Sequence, residues 1–126
     1  PSPRKVTNSH TGDLGQFILE SVAAHGGQPK VTNGLPALQG RWDVEVITGA
    51  EYLGDREQVH ITVPTNQFSA VTGYLAQAFG RPYQPATLQT NGILFGFYSI
   101  NDIGIALQFY CDDRQTGLIL VGKLNR

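Results

Sequence analysis

The side chains of this sequence that could carry out acid–base chemistry centre on His60. A histidine held beside a carboxylate can act as a general base, because the carboxylate orients and stabilises the imidazolium. Asp43 and Glu45 lie on the preceding predicted strand with outward parity, and a hairpin would bring one of them next to His60. The pattern allows a small enzyme with His60 as the base and Glu45 or Asp43 as the orienting group. It also allows an ordinary cross-strand contact, since no nucleophile is identifiable nearby.

The sequence contains one cysteine, Cys111, and no internal disulfide is therefore possible. A thiolate with a histidine base could act as a nucleophile. However, strand parity places Cys111 on the same side as Leu107 and Phe109, toward the predicted core. A cysteine among apolar side chains is inert, and we predict a packing role for this one.

No metal or cofactor site is predicted. His10, His25 and His60 have no spacing typical of metal ligands, and a zinc site needs three or four converging ligands. The segment from Gly117 to Lys123 matches part of a phosphate-binding loop. Its intervening residues are strand-forming aliphatic side chains, and no Ser or Thr follows the lysine to hold magnesium. We interpret this segment as a plain final strand.

Two tyrosines, Tyr98 and Tyr110, share outward parity with Gln108 in the last three predicted strands. Tyrosine combines a rigid apolar ring with a hydroxyl group and is favoured at interfaces for that reason. Together with the outward polar side chains of the first hairpin, they favour a recognition surface on the open face of the sheet. The predicted binding residues are Tyr98, Tyr110, His60, Gln108, Asp43 and Glu45.

Two amphipathic helices must support this sheet. Asp13 can cap the first helix, and the second is predicted to begin at the cap Thr65. Glycines end both helices: Gly26 and Gly27 follow the first helix, and Gly80 follows the second. Their apolar stripes comprise Leu14, Phe17, Ile18 and Val22 in the first helix, and Phe68, Val71, Leu75, Ala78 and Phe79 in the second.

Alternating apolar residues predict strands near residues 42–48, 58–63, 93–98, 105–111 and 118–121. Turns are expected at 101–104 and 112–117. In the last three strands, the parity assigned to the core comprises Ile93, Phe95, Phe97, Ile105, Leu107, Phe109 and Leu120. The expected fold is α+β with two layers: an antiparallel sheet of about five strands, two helices on one face, and the order α-β-β-α-β-β-β. Residues 1–10 are expected to form a flexible N-terminal arm, and residues 11–126 a single domain.

The composition limits the possible partners. The chain has 126 residues, of which 40% are hydrophobic, and its net charge is −1. Because no basic run is present, nucleic-acid binding is disfavoured. The longest apolar stretch, residues 118–121, is far too short for membrane insertion. Few lysines and many Gly, Pro, Gln, Thr and Asn residues slightly favour an exported or periplasmic protein, although the compartment stays open.

Three functions are consistent with these patterns. The first is a non-enzymatic binding domain that engages a protein partner, or a second copy as a homodimer, through the open sheet face. The second is the small enzyme with His60 as base. The third is an assembly module whose edge strand, residues 42–48 or 118–124, pairs with another chain.

Overall fold

A computed structural model describes residues 2–100 and 106–124 of the chain. The predicted turn at 101–104 lies outside the described residues. The elements are β1 (Arg4–Asp13), α1 (Leu14–Ala24), β2 (Gln39–Thr48), β3 (Glu57–Pro64), α2 (Phe68–Phe79), β4 (Gln84–Leu88), β5 (Leu94–Ser99), β6 (Ala106–Cys111) and β7 (Gln115–Gly122). Two short 3₁₀ turns, Glu51–Leu53 and Thr65–Gln67, precede β3 and α2.

The strands form one antiparallel sheet of seven strands in the order β1-β2-β3-β7-β6-β5-β4. The last strand along the chain, β7, therefore lies in the centre of the sheet between β3 and β6. It pairs with β3 over eight residues, from Glu57–Gly122 to Pro64–Gln115. Strands β1 and β4 are the two edges.

One face of the sheet packs against both helices, which gives two layers. Apolar side chains of one parity from β2, β3, β5, β6 and β7 form a single buried cluster with the helices. Its members from the helices are Leu14, Ile18, Val22, Val71, Tyr74, Leu75, Ala78 and Phe79. The predicted α+β class with an antiparallel sheet and two helices is confirmed. The predicted strand count and element order are wrong, because two further strands are present.

The first additional strand is β1. Residues 4–10 of the segment that we expected to be a flexible arm pair with β2, in a strand whose pairs run from Arg4–Thr48 to Asp13–Gln39. Backbone hydrogen bonds to β2 hold this strand in the sheet, and its side chains bury little surface, since even Val6 is 39% exposed. Because the side-chain periodicity of a strand reports burial and not pairing, a polar edge strand leaves no such signal in the sequence.

The second additional strand is β4, which contains Pro85 and an irregular register between Gln84 and Thr87. Proline is confined to sheet edges, and this strand is an edge. Both segments predicted as exposed edges are interior, since residues 42–48 belong to β2 and residues 118–122 to β7. The predicted positions of the exposed edges are therefore wrong, and the edges are β1 and β4.

Asp13 caps α1 as predicted. Its Oδ1 atom accepts hydrogen bonds from the backbone N–H groups of Gly15 (3.0 Å) and Gln16 (3.4 Å). The same oxygen accepts from the Leu38 N–H at 3.0 Å, so the cap also anchors the segment before β2. The carboxylate thus satisfies donors of the first helical turn that have no partner within the helix.

Thr65 does not cap α2, contrary to the prediction. It begins the 3₁₀ turn, and its hydroxyl donates to the carbonyl of Asp112 in the β6–β7 turn at 2.5 Å. The helix proper begins at Phe68 and has no side-chain cap. It ends before Gly80, whose φ of 80° suits a residue without Cβ.

Close packing depends on glycines that face aromatic rings. A Cβ atom on Gly15 would come within 2.5 Å of the Tyr74 ring, so this glycine lets α1 and α2 approach each other. In β5, a Cβ atom on Gly96 would come within 2.6 Å of the Gln84 carbonyl oxygen and would also overlap the Phe109 ring. Each glycine makes room for a neighbouring strand or helix that any larger residue would displace.

Candidate functional site

The open face is the side of the sheet opposite the helices. Strand pairing arranges its side chains in rows that cross the sheet. One row runs through Glu45, His60, Ile119, Gln108 and Phe97. The next row runs through Asp43, Thr62, Gly117, Tyr110 and Phe95. Of the six predicted binding residues, the structure brings five to this face: Asp43, Glu45, His60, Gln108 and Tyr110.

A hydrogen-bonded group of three side chains lies in the middle of the open face. His60 Nε2 and the Tyr110 hydroxyl are 2.9 Å apart, and Gln115 Nε2 donates to the same phenolic oxygen at 2.8 Å. Because Gln115 occupies an acceptor site of that oxygen, the Tyr110 O–H is available to donate to a neutral His60. Three polar side chains from β3, β6 and β7 are thereby held together.

Tyr110 reaches His60 by crossing β7 over Gly117. Tyr110 and Gly117 are paired neighbours in β6 and β7, and a Cβ atom on Gly117 would lie within 2.6 Å of the phenolic oxygen of Tyr110. No other residue type leaves room for the ring to lie flat across the strand. A glycine opposite a tyrosine in adjacent strands is the sequence signal that could have predicted the contact between Tyr110 and His60. Side-chain parity alone does not predict this contact.

Burial changes the acid–base behaviour of this group. It lowers the pKa of His60 from its ordinary 6.5, because a half-buried imidazolium loses hydration, although the charge of Glu45 opposes the shift. Burial raises the pKa of Tyr110, the Gln115 hydrogen bond lowers it, and the charge of Asp112 raises it further. Both groups are therefore held in their neutral forms near pH 7.

The predicted pairing of His60 with a carboxylate does not occur among the described residues. Glu45 is the direct cross-strand neighbour of His60, but its carboxylate lies 3.6 Å from Lys5 Nζ. Asp43 Oδ1 accepts a hydrogen bond from the Ser9 hydroxyl at 2.7 Å. Tyr110 is the hydrogen-bond partner of His60 instead, so no carboxylate of the described residues orients this imidazole.

The prediction that Tyr98 lies on the open face is wrong. Its side chain is 4% exposed on the helix side of β5, and its hydroxyl donates to the Gly80 carbonyl at 3.1 Å. Its ring packs against Phe79 and Phe109. The prediction placed Phe95 and Phe97 in the core because phenylalanine is more hydrophobic than tyrosine. A tyrosine whose hydroxyl donates to a backbone carbonyl is equally suited to a core position.

The open face therefore carries phenylalanines whose parity predicted a place in the core. Phe95 and Phe97 lie on it, half-buried, with ring centroids 6.3 Å apart. Tyr83, 78% exposed, stacks on Phe97 with centroids 5.3 Å apart. These three rings form an aromatic group at the β4–β5 side of the face.

Strands β4–β7 present no charged side chain on the open face among the described residues. We call this region, together with Tyr83, the uncharged surface. Its open-face residues are Gln84, Thr87, Phe95, Phe97, Ser99, Ala106, Gln108, Tyr110, Gln115, Gly117, Ile119 and Val121. Charged side chains of the same face, such as Lys5 and Glu45, lie on β1 and β2.

Cys111 lies on the helix side of β6, as predicted. Its Sγ atom is 3.1 Å from the Thr65 hydroxyl oxygen and 3.5 Å from the Asp112 carbonyl oxygen. The residue thus connects the end of β6 to the turn that precedes α2, which is a packing role.

Comparison of the chain with protein-family models, with curated proteins and with solved structures gives no match. Within residues 2–100 and 106–124, no cluster of three or more His, Cys, Asp or Glu side chains could hold a metal ion. Neither helix described in the structure has the length and apolar character needed to cross a bilayer.

Proposed function

We propose that this domain is a binding module whose uncharged surface engages a second copy of the same chain. The observation that carries the proposal is the absence of charge from the described open-face positions of four adjacent strands, next to the aromatic group of Tyr83, Phe95 and Phe97. The centre of a protein interface is depleted in charged residues and enriched in Phe and Tyr. A group of aromatic rings on one face of a domain is typical of an interaction site.

A second copy suits this surface for electrostatic and geometric reasons. The chain has a net charge of −1, so two copies repel each other only weakly over long distances. Two uncharged surfaces related by a twofold axis would cover each other without opposing like charges, and isologous pairing is the commonest arrangement of soluble oligomers. The flanking charges of β1 and β2 would then lie at the rim, where solvent keeps them hydrated.

Light scattering coupled to size-exclusion chromatography tests this proposal. The expected mass is twice the 13.7 kDa of one chain. Tyr83→Glu should shift the equilibrium to monomer, because it places a charge on the most exposed ring of the surface without disturbing the core. Phe97→Lys should do the same from the centre of the aromatic group. Tyr52→Glu is the matched control, since Tyr52 is 65% exposed but lies in the 3₁₀ turn before β3, outside the uncharged surface.

A monomer at every concentration up to the millimolar range would overturn the proposal. It would also fail if Tyr52→Glu dissociated the dimer as well as Tyr83→Glu, because the surface would then have no special role. Circular dichroism of each variant shows whether the fold is retained, and Tyr83→Glu decides the outcome if Phe97→Lys does not fold.

A further inference from the structure

Strands β2 and β3 diverge at one end. They pair only from Ile47–Gln58 to Asp43–Thr62. Beyond that point, Arg41 and Trp42 pair with β1 alone, while Val63 and Pro64 pair with β7 alone. The sheet therefore has a gap here, with neighbouring strands that no longer share hydrogen bonds.

A cavity lies on each side of this gap. The one on the helix side has a volume of about 280 Å³, and the one on the open face about 690 Å³. The same four residues line both: Arg41, Trp42, Val63 and Pro64. The gap is thus bordered by a mostly apolar cavity on one side and, on the other, by a cavity whose lining is both polar and apolar.

The helix-side cavity is lined mostly by apolar side chains. Leu14, Leu38 and Val71 contribute to its wall together with Trp42 and Val63. Trp42 is 4% exposed, and its Nε1 atom has no hydrogen-bond partner among the described residues. A buried N–H group without a hydrogen-bond acceptor is unfavourable. An acceptor from a bound molecule would satisfy the Trp42 N–H, since the described residues supply none.

The open-face cavity carries two guanidinium groups. Arg41 and Arg114 both line it, and neither forms a salt bridge with a carboxylate of the described residues. Asp43 also lines this cavity, and Ser9 donates a hydrogen bond to it. Arginine presents paired donors that match the two oxygens of a carboxylate.

We propose that the gap between β2 and β3 binds a small carboxylic acid with an apolar body. The apolar body would occupy the helix-side cavity against Trp42, Leu38 and Val71. The carboxylate would lie at the gap, where it supplies a counter-ion for Arg41 and an acceptor for the Trp42 N–H. Small-molecule sites typically combine an apolar wall with a few polar groups of this kind. The cavity for the apolar body lies on the helix side of the sheet, opposite the uncharged surface, so the proposal does not rest on self-association.

Trp42 is the only tryptophan in the chain, so its fluorescence reports on this site alone. We expect octanoate to change the emission saturably, and octanol, which lacks the charge, to bind about tenfold more weakly. Arg41→Gln should weaken octanoate binding about tenfold and leave octanol binding unchanged. Arg4→Gln is the control for the charge change, since Arg4 is an exposed arginine at the far end of β1.

A second pair of variants tests the apolar compartment. Leu38→Phe should fill part of the cavity and weaken both ligands, whereas Leu35→Phe should not, because Leu35 is half-buried in the same segment but does not line the cavity. The proposal is overturned if octanoate does not bind saturably at millimolar concentration, or if octanol binds equally well. It is also overturned if Arg41→Gln and Leu38→Phe leave the affinity of octanoate unchanged.

Discussion

Gly117 controls the position of Tyr110, and through it the arrangement of His60. The tyrosine ring occupies the space above Gly117 in which any other residue would carry its Cβ atom. The hydrogen bonds of the phenol to His60 and Gln115 require that position. The hydrogen-bonded group of His60, Tyr110 and Gln115 on the open face therefore depends on a residue that has no side chain.

We expect Gly117→Ala to destabilise the fold by about 1–3 kcal/mol, because the methyl group overlaps the Tyr110 ring and forces it to move. Urea denaturation measures this change. Gly40→Ala is the matched control: Gly40 also lies in a strand, but a Cβ atom there would contact nothing within 4 Å. In a Tyr110→Leu background, Gly117→Ala should cost much less. An equal cost in both backgrounds would show that the ring does not limit this position.

Side-chain orientations on the sheet were only partly predictable from the sequence. His60 and Cys111 point as expected, because each lies in a strand where one parity is clearly more apolar than the other. In β5, aromatic side chains lie on both sides of the strand, with Phe97 on one side and Tyr98 on the other. The sequence pattern therefore does not show which side faces the core. The carbonyl of Gly80, which accepts the Tyr98 hydroxyl, comes from a distant turn and could not be anticipated from local periodicity.

At the level of elements, the end of α1 is attached to the start of β3 by a buried pair. His25 follows the helix, and its Nδ1 atom lies 2.6 Å from the Ser21 carbonyl oxygen. Its Nε2 atom lies 2.8 Å from Glu57 Oε1. The exposed fractions of the two side chains are 2% and 15%. The pair joins the helical layer to the sheet.

His25→Ala should destabilise the protein by about 3 kcal/mol, because it leaves the Glu57 carboxylate poorly hydrated and without its partner. Thermal or urea denaturation measures the loss. The exposed ion pair of Lys123 with Asp55 is the control, since its side chains are 72% and 71% exposed. We expect Lys123→Ala to change the stability very little, because solvent screens this exposed pair. Similar losses for the two variants would contradict a structural role for the buried pair.

Both helices and five of the strands could be located from the sequence, because each buries an apolar face. The cap Asp13 was also predictable, since a carboxylate before an amphipathic segment satisfies free backbone donors. Strands β1 and β4 could not be found this way. One is polar and held by backbone pairing, and the other contains Pro85 at an irregular edge. Their edge positions are the reason why their side chains show so little pattern.

We expect the stability of the folded domain to depend on pH through half-buried His60. Its pKa in the folded state is lowered by burial, so the unfolded chain takes up a proton at higher pH than the folded chain does. Stability must then fall as the pH decreases below about 6.5 and continue to fall until the lowered pKa is passed. Asp112, whose pKa is lowered from 3.8 by backbone hydrogen bonds from Arg114 and Gln115, acts only in a more acidic range.

The urea midpoint of the natural chain should therefore decrease between pH 7.5 and pH 5.5 by more than that of His60→Gln. The variant keeps His10 and His25, so the difference between the two proteins isolates the contribution of His60. Identical pH profiles would show that protonation of His60 is not linked to folding.

The position of β7 has a consequence for biosynthesis. Strands β1–β3 and β4–β6 form two half-sheets, and only β7 connects them. During synthesis, the facing edges of β3 and β6 have no strand to pair with until residues 115–122 are available to insert between them. A chain that ends before residue 115 would expose the unpaired edges of β3 and β6. We therefore expect a premature stop to yield an insoluble fragment and not a smaller folded domain.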